Sequence, residues 1–66
     1  MIFKEDVIAE SIRTQRELCK QYEANFERFC TLDDKTNAWQ TFWNFMQNRA
    51  LLREMKDYAD REGINY

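Results

Sequence analysis

The sequence contains no histidine and no proline, and its single glycine is Gly63. Without histidine it lacks the commonest general base, the usual nitrogen ligand for zinc and the simplest switch near neutral pH. Without a glycine-rich run it has no phosphate-cradling loop of the P-loop or dinucleotide type. Ser11, Thr14, Thr31, Thr36 and Thr41 have no histidine or activated lysine to raise their nucleophilicity, so a hydrolytic triad is excluded. The scarcity of glycine and proline also leaves too little turn chemistry for a chain of several strands. What remains is helix.

Cysteine is nearly as scarce. Cys19 and Cys30 are the only two, and neither belongs to a CxxC pair. On one helix, eleven residues place them about 16 Å apart along the axis, whereas an intrachain disulfide needs Cα atoms within about 7 Å. They read as small apolar residues of a reducing compartment, or as a Cys19–Cys19 bridge between two copies. No zinc site follows, because further ligands are lacking. Asp33-Asp34 and the group Asp57, Asp60 and Glu62 lack the spacing of a calcium loop and are explained by helix capping and solvation. No metal and no cofactor is expected. No apolar run approaches the length that spans a bilayer, and the first residues do not resemble a signal peptide, so the expectation is a soluble, cytoplasmic protein without membrane contact.

Against these absences stand ten aromatic residues in 66, with 44% hydrophobic and 33% charged residues. That is enough apolar material to fold, in one small domain of marginal stability. Ten basic and twelve acidic residues leave a net charge of −2, which argues against general binding to polyanions.

The positions Ile8, Ile12, Gln15, Cys19, Tyr22, Phe26 and Phe29 are spaced alternately four and three apart. This spacing keeps side chains on one face of a helix and is the heptad pattern of a coiled coil. Arg13, Arg16, Glu17, Lys20, Glu23 and Glu27 fall on the opposite face. The pattern predicts an amphipathic helix over about residues 4–31. The polar cluster Leu32-Asp33-Asp34-Lys35-Thr36 reads as a turn at 32–36, in which Asp33 or Asp34 caps a second helix over about 34–62. Gly63 suits the residue that closes that helix, with Ile64 packing back on its last turn near Tyr58 and Ala59.

The second helix is less simple. Trp39, Phe42, Trp43, Met46 and Ala50 share one face, while Phe45, Leu51, Leu52, Met55, Tyr58 and Ala59 lie mostly on the other. Either the helix kinks near residues 48–50 into a three-helix unit, or one continuous helix buries its two halves on different partners. Nothing near residue 48 breaks helices, which favours continuity. The expected fold is an all-α helical hairpin, two of which dimerise into a four-helix bundle. Its core and self-association residues would be Ile8, Ile12, Gln15, Cys19, Tyr22, Phe26, Phe29, Trp39, Phe42, Trp43 and Met46. Gln15, polar among apolar neighbours, is placed to fix register.

With no catalytic equipment, the expected function is a non-catalytic protein-interaction module. Small acidic helical chains of this kind are frequent among phage and mobile-element products that inhibit or regulate a larger host protein or defence complex. Its partner-facing residues would be Phe45, Leu52 and Met55, rimmed by Arg49, Arg53 and Lys56. Two alternatives compete: a dimer that binds nucleic acid through the basic triads Arg13-Arg16-Lys20 and Arg49-Arg53-Lys56, and a structural assembly subunit.

Overall fold

In the computed structural model, which describes all of residues 1–66, the chain is two helices packed as a hairpin, with no strand. Helix α1 spans Lys4–Thr31 and α2 spans Lys35–Arg61. The molecule is a rod of 47 × 19 × 14 Å. Neither helix is long and apolar enough to cross a membrane. α2 runs unbroken through Asn48 and Arg49, as the absence of a helix breaker there predicts.

Both helix ends close in the same way. Asp33 takes a left-handed conformation (φ 57°), its amide donates to the Cys30 carbonyl, and the Asp34 amide reaches back to Phe29 at 2.9 Å. Gly63 (φ 68°) repeats the motif, with its amide on the Asp60 carbonyl and that of Ile64 on Ala59 at 2.8 Å. These are Schellman ends, in which the residue after the cap turns left-handed so that orphan carbonyls find donors. Asp33 therefore makes the turn, and Asp34 caps α2: its carboxylate accepts from the Asn37 amide at 3.3 Å and from the Asn37 side chain at 2.7 Å. The second closure carries Ile64 back into the hairpin, where it is buried with Ile12, Cys19, Leu52 and Ala59.

The seam explains the two-faced second helix. α1 turns its heptad positions inward as its spacing predicts: Ile12, Gln15 and Cys19 are buried, and Ile8, Tyr22, Phe26 and Phe29 are half-buried. The matching stripe on α2 is Ala38, Thr41, Phe45, Asn48, Leu52, Met55 and Ala59, also spaced alternately three and four apart and all buried or half-buried. Four of these seven are small or polar, so the stripe is inconspicuous beside the Trp39 face. Trp39, Phe42, Trp43 and Met46, expected in the core or self-association surface of a four-helix bundle, are all exposed on the single hairpin. Phe45, Leu52 and Met55, expected to face a partner, instead pack between the helices. The physical reason is fit. Tyr22, Phe26 and Phe29 are large, and the small residues Ala38 and Thr41 of the α2 stripe, buried or half-buried, suit the same half of the seam.

One layer of the seam is polar. Gln15 Nε2 donates to Asn48 Oδ1 at 2.8 Å and to the Asn48 carbonyl at 3.1 Å, while Asn48 Nδ2 donates to the Asn44 carbonyl at 2.8 Å. No buried side-chain polar atom is left without a partner. A slip of one heptad would set Gln15 against Thr41 or Met55 and Asn48 against Tyr22 or Ile8. Leaving a buried amide unpaired costs about 1–3 kcal/mol, so the layer holds the helices in one register.

Two stability measurements check this account. Asn48→Leu removes the shorter of the two bonds made by the Gln15 amide and leaves the one to the main-chain carbonyl, and is expected to lower unfolding free energy by about 1 kcal/mol. Combining it with Gln15→Leu removes both polar groups and should recover most of the loss. Urea titration of the single and double variants decides, and strictly additive losses would contradict the paired layer. Gly63→Ala forces an alanine into a left-handed position with open space around it, and is expected to cost about 1 kcal/mol through the backbone alone.

Candidate functional site

The residues left outside the seam define the surface. In the half of the hairpin near the turn, Trp39 is 66% exposed, Trp43 54%, Met46 43% and Phe42 42%. Trp39 and Trp43 lie one turn apart on α2, and their indoles stack with planes within 1° and centroids 6.1 Å apart. Phe42 leans across the groove onto Phe26 of α1, with centroids at 5.3 Å and planes at 46°. The result is an apolar patch fixed by ring-to-ring contact. Exposed apolar patches of contiguous large side chains are uncommon on proteins with no use for them.

Basic residues continue the line of this patch. Arg49 and Arg53 are exposed and Lys56 is half-buried. Arg49 and Arg53 share a shallow hollow with Met46 and Ala50, and a second hollow with Leu52, Lys56, Asp57, Asp60 and Tyr66. None of the three cations forms an ion pair. The two ion pairs in the chain are Lys4–Glu62 at 3.5 Å and Lys20–Glu17 at 4.0 Å. Tyr66 donates its hydroxyl to Asp60 at 3.2 Å. Partial desolvation, then the bond to Asp60 and its charge, push the Tyr66 phenol above its ordinary value of 10.0, and the positive charge of Arg16 opposes them. Arg16 of α1 thus acts on Tyr66, which lines the hollow of the basic run on α2. The triad Arg13-Arg16-Lys20 does not join that run as a unit: Lys20 is drawn toward Glu17, and Arg13 lines a separate hollow with Glu10 and Glu17.

The sequence reading missed the contacts that tie the open end together. Lys4 Nζ lies 5.3 Å from the centre of the Tyr58 ring and 3.5 Å from a Glu62 oxygen. The Tyr58 hydroxyl, with help from the Glu62 carboxylate, raises the Lys4 ammonium above its ordinary value of 10.5. Because the folded value is raised, this contact contributes below the unfolded pKa and is lost as pH rises through the folded one. It joins residues 54 or more positions apart, which no local pattern signals. The Gln15–Asn48 pair was half legible: Gln15 stood out, and its partner did not.

No group of three or more histidine, cysteine or carboxylate side chains converges as a metal site would. Both cysteines are free thiols, Cys19 buried and Cys30 exposed.

The surface residues can be separated from the fold by experiment. Trp39→Ala with Trp43→Ala removes two exposed rings and is expected to change the unfolding free energy by under about 1 kcal/mol, whereas Ile12→Ala, at a fully buried position, should cost about 2–5 kcal/mol. Thermal unfolding followed by circular dichroism gives both values. Compared with protein-family models, with curated proteins and with solved structures, the chain matches none.

Proposed function

We propose that the protein is a non-catalytic interaction module whose working surface is the outer face of α2, centred on Trp39, Phe42, Trp43 and Met46. The observation that carries this reading is the division of labour on α2. Its seam is filled by Ala38, Thr41, Phe45, Asn48, Leu52, Met55 and Ala59, yet its two tryptophans lie outside the seam and are exposed. A hairpin gains nothing in its own stability from tryptophans held in water. At protein interfaces, by contrast, tryptophan is the residue most enriched among those that dominate binding energy. The stacked indoles are held by each other before any partner arrives, so little side-chain entropy would be lost on docking.

The reading moves the partner-facing residues from Phe45, Leu52 and Met55 to the Trp39 face and keeps Arg49, Arg53 and Lys56 at its edge. Self-association of two hairpins into a four-helix bundle is the competing use of the same face. A hairpin in which only eight of 66 residues are buried has apolar surface to spare for it.

Photo-crosslinking tests the proposal. With a benzophenone amino acid in place of Trp43, irradiation in an extract of the source cells is expected to give a discrete adduct with a larger protein, and Trp39→Ala should suppress it. The same group in place of the exposed Glu17 on α1 should give none. Equal labelling from both positions, or an adduct only with a second copy of the chain, would overturn it.

A further inference from the structure

The flank of α2 beside the seam carries a second regular stripe. Trp39, Phe42, Met46, Arg49, Arg53 and Lys56 are spaced alternately three and four apart, like the seam, and run along one flank of the helix for about 26 Å. The stripe changes character once. Its half near the turn is apolar and aromatic, and its half near the open end is cationic.

We infer that this stripe docks an amphipathic helix with a matching division: apolar residues over Trp39, Phe42 and Met46, and carboxylates over Arg49, Arg53 and Lys56. The inference rests on the interaction-module reading and names the chemistry of the partner.

Charge is what selects this occupant. The three cations have no ion-pair partner within the chain. Two carboxylates, Asp57 and Asp60, border the lower hollow; neither forms an ion pair, and their charges offset only part of the positive charge there. The edge is thus locally positive on a chain whose net charge is −2. A partner helix with acidic residues in one half finds complementary charge there and like charge over much of the remaining surface, which fixes both site and direction.

A second copy fits the stripe poorly. Laid antiparallel, it would set Trp39 against Lys56, Phe42 against Arg53 and Met46 against Arg49, so that each cation meets a ring or thioether in place of a carboxylate and no apolar residue meets another. Laid parallel, it would set the arginines against their own copies. Single-stranded nucleic acid also fits poorly. The cationic half is short, the net charge repels a polyanion at a distance, and the two indoles spend one face each on the other.

The test is selection from a displayed library of helical peptides about 18 residues long, enough to cover the stripe. Peptides captured by the intact chain are expected to be apolar in one half and enriched in Asp and Glu in the other. Their affinity, read by fluorescence anisotropy, should fall about tenfold or more with Arg49→Glu and Arg53→Glu combined. Selection against that variant should lose the carboxylate enrichment. Circular dichroism checks that the variant is folded, and Arg49→Gln with Arg53→Gln replaces it if it is not, with the same loss of enrichment expected. Peptides that depend on Trp39 and Trp43 but show no preference for carboxylates would overturn the acidic partner and leave the interaction face standing. Capture that is indifferent to Trp39 and Trp43 would overturn both. A stable dimer that hides the face, or tighter binding to a labelled oligothymidine than to any selected peptide, would also overturn the inference.

Discussion

The hydrogen-bonded layer of Gln15 and Asn48 is the constraint on which the rest of the hairpin depends. Two antiparallel heptad stripes can slide past one another by whole heptads at modest cost if every layer is apolar. A buried side-chain amide restricts that freedom, because this register gives Gln15 the Asn48 side-chain amide as well as a main-chain carbonyl. With that register set, Ile12, Cys19 and Leu52 join one buried cluster, and Phe26 meets Phe42 across the groove nearer the turn. Ala59 and Ile64 then close the open end.

From that register follows the orientation of α2. Its seam residues are fixed at Ala38, Phe45, Leu52 and Ala59, and the helical repeat carries Trp39, Trp43 and Met46 outward. The aromatic surface is thus a consequence of which stripe pairs with α1. The larger apolar side chains of α2 are the ones outside, the reverse of what burial alone would choose. A two-helix protein has little interior, and large rings on both sides of the seam would hold the helices apart. Small residues on α2 let the backbones approach, and the two indoles stay outside the seam.

Much of the fold was legible in the sequence. The four-three spacing from Ile8 to Phe29 marked α1 and its inner face, the polar cluster at 32–36 marked the turn, and Gly63 marked the end of α2 with Ile64 folded back. Each is a local signal, carried by periodicity or by one backbone conformation. The inner face of α2 was not read, because Thr41 and Asn48 are polar and Ala38 and Ala59 are weak apolar markers beside two tryptophans. Their spacing was present in the sequence. What hid it was weighting residues by size, when a close-packed seam selects for complementarity with the opposite helix. The candidate site was half legible for the same reason. Arg49, Arg53 and Lys56 stood out as a triad, and their alignment with Trp39, Phe42 and Met46 emerged once the seam had been assigned. The contacts of Lys4 with Tyr58 and Glu62 bridge the two ends of the chain, and only the folded topology brings them together.

The central claim is that α2 turns Phe45 and Leu52 inward and Trp39 and Trp43 outward in the free hairpin. Tryptophan fluorescence tests it most directly, since both tryptophans of the chain lie on that face. At high dilution and at native pH, the account predicts red-shifted emission that acrylamide quenches almost as readily as in the urea-unfolded chain. Blue-shifted emission shielded from acrylamide, in protein that circular dichroism shows to be helical, would mean that the indoles are buried and that α2 faces the other way.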